Sequence, residues 1–243
     1  MLGRVAAAVL LAALFRGCVH YEYEHEFWLK VDGSGTVRVT GQPRLWAAFK
    51  GVERPEADAA ALRQAARELF ERSGLRVRRV ALTRRDGQRY LSVVAEFQEV
   101  NRLSGSPAFP DLELRLRPDS ERLALDGGWR PLRSASGARG EGLMAVRFHL
   151  PSKVYAHRNA FDGVERGNIV SWRQDLAQGL ASRPLEFGAV IGRRSILFST
   201  VSLFASAIAL GVALLVLAGY WLFRTGRRRE AALVVSARPG PGG

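Results

Sequence analysis

Cysteine is all but missing, with Cys18 the only one in 243 residues. A lone thiol makes no intramolecular disulfide and no multi-cysteine metal site. Lysine is scarce as well, limited to Lys30, Lys50 and Lys153, so nearly all of the 36 basic residues are arginine. The chain contains no glycine-rich phosphate loop, no G-x-S-x-G elbow, no H-E-x-x-H and no paired CxxC. These absences remove the sequence grounds for nucleotide hydrolysis, α/β-hydrolase chemistry and zinc chemistry. There is no helix-turn-helix or basic-aromatic pattern either, so no nucleic-acid partner is expected, and no catalytic set, metal-ligand set or cofactor is assigned.

What the sequence does have is two uncharged apolar runs. Residues 195–223 carry no charge between Arg193-Arg194 and Arg224. A helix of about 20 apolar residues crosses the hydrocarbon core, which makes 195–223 a transmembrane helix with Arg193, Arg194, Tyr220, Trp221 and Arg224 at its membrane boundaries. Residues 5–15 form a shorter apolar stretch behind Arg4, too short to span and built like the core of a secretory signal over residues 1–18. Gly17-Cys18 closes it in the manner of a bacterial lipobox, with Cys18 the acylation site, although Phe15 and Arg16 depart from the usual pattern there. Export of residues 19–192 leaves the tail, 224–243, in the cytoplasm, where Arg224 and Arg227 to Arg229 fit the positive-inside tendency. The tail's small residues and its Pro-Gly end read as disordered. Residues 19–194 hold 29 basic and 22 acidic residues, a moderately basic domain.

Within that domain the period is mostly two. Residues 20–31 alternate, with Tyr21, Tyr23, His25, Phe27, Leu29 and Val31 on one face and His20, Glu22, Glu24, Glu26, Trp28 and Lys30 on the other. The second face is expected to be a solvated acidic surface rather than a metal ladder. Asp32-Gly33-Ser34-Gly35 then turns the chain into a second strand, and Asp86-Gly87 joins another pair. Asp-Gly also recurs at 126 and 162, read as further turns. Residues 42–55 are expected to be a connection or short helical turn. Residues 57–73 carry Ala61, Leu62, Ala65, Ala66, Leu69 and Phe70 at three-four spacing, the clearest soluble helix. Leu112, Leu114 and Leu116 alternate with Glu113, Arg115 and Arg117. Strands follow at 143–150, 168–174 and 184–191, with 153–164 irregular. The fold class is therefore α+β: antiparallel hairpins packed on one main amphipathic helix, plus the C-terminal transmembrane helix.

The polar residues of the 149–175 stretch, His149, Lys153, His157, Arg158, Asn159, Arg166 and Asn168, form a candidate ligand-binding edge. Near a bilayer, arginines suit anionic lipid headgroups or envelope polymers, and the expected function is a non-catalytic exported domain that binds such a lipid, a polymer or a protein partner. Two alternatives remain open: a hydrolase or transferase drawing on Ser152, Lys153, His157 and Asp162, and an assembly subunit whose span packs through small residues such as Ser202 and Ser206.

The lipobox-like Gly17-Cys18, the strand turning at Asp32 to Gly35, one amphipathic helix, further hairpins and a single span before Arg224 and Arg227 to Arg229 together resemble the LppM-type envelope lipoproteins of bacteria. That resemblance implies an exported α+β domain tied to the membrane and linked to envelope lipids or glycolipids, with a binding rather than catalytic role.

Overall fold

The computed structural model of the chain describes residues 21–53, 58–131, 140–165, 167–193 and 196–236. The expected signal segment with Cys18, and the candidates Arg166 and Arg194, lie outside the described residues. The chain divides after Ser195 into two units.

Seven strands form the larger sheet of the first unit. β1 (Tyr23–Leu29) and β2 (Gly35–Gly41) are the hairpin predicted at Asp32, and Gly33 takes the positive φ of 82° that its turn requires. After β2 come the short helix α1 (Pro43–Lys50), the main helix α2 (Ala59–Arg72), and the hairpin β3 (Arg76–Arg85) and β4 (Gln88–Phe97). β5 (Leu112–Asp119), β6 (Arg122–Trp129), β7 (Leu143–His149), β8 (Val154–Arg158), β9 (Phe161–Glu165), β10 (Ile169–Asp175), a short α3 (Leu176–Leu180) and β11 (Leu185–Gly192) complete the unit. The large sheet runs β3-β4-β2-β1-β7-β10-β9, and a four-stranded sheet runs β5-β6-β11-β8. Pairing is antiparallel except between β1 and β7, which lie parallel with Tyr23 opposite Met144.

The core lies on the inner faces of both sheets. Phe27 stacks on Phe148 at 4.6 Å, Phe148 meets Phe187 of the small sheet at 5.8 Å, and Trp172 lies 5.4 Å from Phe187. On the helical side Trp46 and Phe70 meet at 6.1 Å, and the Trp46 indole donates to the Leu91 carbonyl at 3.1 Å, so its one polar group is satisfied. Each large apolar side chain sealed in this way is worth about 1.5–3 kcal/mol over exposure. Helix α2 is capped by Asp58, whose carboxylate accepts from Ala61 N at 2.9 Å. It buries Leu62, Ala66, Leu69 and Phe70, while Ala61 and Ala65 are only half-buried.

Several sequence expectations are corrected. Residues 153–164 are not irregular: β8 and β9 occupy them, formed because β11 and β10 offer free edges to pair with. Asp126-Gly127 and Asp162-Gly163 lie inside β6 and β9 rather than in turns. Gly127 is there for close packing: an added Cβ would sit 2.5 Å from the Glu113 carbonyl oxygen and overlap the Phe187 ring. The second unit is one helix, α4 (Ile196–Ser236), which continues through 224–236 where a disordered tail was expected. Helix-favouring Arg, Glu, Ala and Leu residues account for that continuation. Its segment Thr200–Trp221 has a mean hydropathy of 2.5 and is long and apolar enough to cross a membrane. Tyr220, Trp221 and Arg224 sit together at one end of that segment.

Candidate functional site

The outer face of the small sheet is built from residues that alternate with its core-facing leucines. Register sets two rows across it. Glu113, Gly128 and Glu186 lie side by side on β5, β6 and β11, and in the next row Arg115, Asp126, Gly188 and Arg158 span all four strands. Each row has a glycine where a side chain would otherwise stand. The result is a groove of about 770 Å³ whose lining includes Glu113, Arg115, Arg117, Asp126, Gly128, Arg130, Arg158 and Glu186. A Cβ on Gly128 would meet nothing within 4 Å, so its bare backbone serves the groove and not the packing. Arg117 donates to Asp126 Oδ2 at 2.7 Å, and Arg158 Nη2 donates to the Phe187 carbonyl at 3.3 Å, which fixes both guanidiniums at the wall. Arg115, Arg130, Glu113 and Glu186 are exposed.

Such a lining offers forked donors and carboxylate acceptors at close spacing, with Pro110, Trp129 and Pro184 as its apolar members. It suits a ligand carrying many hydroxyls, with or without a phosphate or carboxylate.

A second polar cluster occupies the outer face of the large sheet. There the register sets Glu26 between Arg38 of β2 and Arg147 of β7, and Trp28 beside His149. His149 Nε2 lies 2.8 Å from Glu26 Oε1, Arg38 Nη1 donates to Glu26 Oε2 at 3.4 Å, and Arg147 reaches Glu24 at 3.6 Å and Glu26 at 3.9 Å. The expected solvated acidic face is therefore corrected: Glu26 is only 8% exposed, because flanking strands fold cations over it. Burial pushes the Glu24 carboxyl up to about 7, the Glu26 charge adds to this, and Arg147 opposes it. Glu22 is engaged by Gln42 and accepts from the Tyr90 hydroxyl at 3.2 Å.

The residues proposed from the 149–175 stretch do not share one edge. His149 belongs to the large-sheet cluster, and Arg158 alone joins the groove. Lys153 is exposed just before β8, its Nζ 5.8 Å from the Tyr155 ring centroid. His157, opposite Ala189, alternates onto the other face of β8 from Arg158. Asn159 takes a positive φ of 57°, a turn role that asparagine tolerates, and Asn168 donates to the Leu150 carbonyl at 2.9 Å. Arg193 Nη1 donates to the Ser120 carbonyl at 3.1 Å. Sequence reading missed Asp126, Gly128, Arg130 and Glu186 as groove residues. The one available signal was the Glu113-Arg115-Arg117 alternation, which marked an outward polar face without naming its neighbours.

No family model matches the chain, and no curated protein matches it in sequence. Among solved structures it is similar to the NMR structure of the folded domain of Mycobacterium tuberculosis LppM. The identity is 12%, the TM-score 0.40, and the match covers 72% of this chain and 92% of that one. This is a weak likeness of fold.

Proposed function

We propose that this chain is a membrane-anchored protein of the bacterial cell envelope whose α+β domain lies outside the cytoplasm and binds, without converting, the hydroxyl-rich polar part of an envelope glycolipid or polymer. The single observation that carries the reading is the glycine-floored groove, where the Arg115-Asp126-Gly188-Arg158 row alternates donors and acceptors around a depression. The Thr200–Trp221 segment supports the anchor, and the basic residues after it support a cytoplasmic tail. The 149–175 residues are divided between two sheets, which favours binding over a hydrolase or transferase built on that stretch. Acylation of Cys18 would add a second tether at the other end of the domain.

Saturation-transfer NMR of the full chain in detergent tests this, using a deacylated glycosylglycerol headgroup and a soluble peptidoglycan disaccharide-peptide as probes. Transfer to at least one probe is expected, and it is lost in Gly128→Leu, which fills the groove. Transfer that is equal in the variant, or absent for both probes, refutes the reading.

A further inference from the structure

Apart from the groove and the Glu26 cluster, the core contains an ion pair in which two polar atoms have no hydrogen-bond partner. Lys50 ends α1 and Asp111 precedes β5, and their side chains meet with 0% and 1% exposure, Nζ 3.7 Å from Oδ1. Asp111 Oδ2 accepts from the Trp129 indole at 2.7 Å. The other carboxylate oxygen and the lysine nitrogen have no hydrogen-bond partner. The Phe109 ring lies 4.5 Å from Nζ. His25 is sealed beside them, its ring 4.5 Å from Trp129 and 5.6 Å from Phe109, and neither of its nitrogens is bonded.

Charges walled in by aromatic rings lose more solvation than a single long contact returns. The rings around it therefore disfavour the charged form of the Lys50 amine. Burial drives the Lys50 amine below the usual lysine range, with Asp111 opposing, and burial together with Lys50 keeps His25 neutral. Moving one proton from the ammonium to the carboxylate gives a free amine beside a free carboxylic acid, held in a dry site by a rigid core. These are the reactants of an amide, already brought together.

We propose that Lys50 and Asp111 are joined by an intramolecular isopeptide bond in the mature protein. The neutral Lys50 nitrogen attacks Asp111 Cγ while the Trp129 N–H stabilises the charge that develops on Oδ2. A new C–N bond forms, the bond from Cγ to the other oxygen breaks, and that oxygen leaves as water with the proton released by nitrogen. No oxidant or cofactor is consumed. The product amide replaces a buried ion pair, whose Nζ and Oδ1 make no hydrogen bond, with one neutral group. It fastens α1 to the start of the small sheet in a chain whose single cysteine provides no disulfide.

The test is peptide mapping of the purified full chain by mass spectrometry. A branched peptide joining Lys50 to Asp111, lighter than its two parts by one water, is expected. Asp111→Asn should give the same branched peptide, with ammonia as the leaving group, whereas Lys50→Met and Asp111→Ala should give none. The proposal is overturned if the parent chain, which needs no substitution to be scored, yields only linear Lys50 and Asp111 peptides.

Discussion

Glu26 and His149 meet at 2.8 Å across the parallel junction of β1 and β7, with Arg38 on the carboxylate's other oxygen. Removing the carboxylate strands the cations packed around it. Glu26→Ala should destabilise the chain by about 2 kcal/mol and Glu26→Gln by about half that, since an amide still accepts hydrogen bonds. Urea unfolding followed by tryptophan fluorescence measures both. A Glu26–His149 double-mutant cycle should give a coupling of about 1 kcal/mol, and zero coupling would show that their closeness has no energetic content.

Glu24 makes stability depend on pH in an unusual direction for a carboxylate. Its carboxyl titrates at 4.5 when unfolded and at about 7 when buried. Between those values the folded chain binds the extra proton, so this group's contribution falls as pH rises through the window, and the full penalty is present above it. Glu24→Gln should therefore be more stable than the parent above about pH 8, by on the order of 3 kcal/mol at most, with the difference vanishing below the unfolded value. Melting temperatures recorded across that range would reveal a flat profile if the assignment is wrong.

Adjacent glycines in β6 should behave oppositely. Gly127→Ala drives a methyl into the Glu113 carbonyl and the Phe187 ring and should cost about 2 kcal/mol or more. Gly128→Ala meets open space and should leave stability unchanged or slightly raised, while weakening whatever occupies the groove. Thermal melts of the two variants side by side separate packing from function at neighbouring positions.

The Thr200–Trp221 segment should fail as an anchor when charged at its middle. Leu215→Arg adds roughly 2.5–3.5 kcal/mol to insertion, so part of the chain should become extractable by alkaline carbonate. Complete retention in the membrane pellet would argue that something besides this segment holds the chain there.

Most of the local structure was legible. Asp32 to Gly35 and Asp86-Gly87 announced their hairpins, the three-four stripe of α2 announced its buried face, and 195–223 announced an apolar helix. What could not be read was which strands become neighbours. Glu26 looks solvated until β7 delivers Arg147 and His149 beside it, and Arg158 looks like part of a local edge until β11 carries it across from Arg115. Asp126-Gly127-Gly128 has the composition of a turn, yet serves as a strand with one glycine packed inward and one left open outward. Register and strand order arise from non-local pairing, and short-range periodicity does not contain them.

The parallel partner of β1 also sets a timetable. A chain made N-terminus first finishes β1 and β2 long before Leu143 to His149 exist, and until then one side of β1 presents unpaired amides and carbonyls. Its large sheet cannot close progressively, and stays an open template until the second half of the domain arrives. Fragments ending before residue 143 should thus be the aggregation-prone species, and whatever accompanies the nascent chain must shield the Glu22 to Trp28 edge for most of its synthesis.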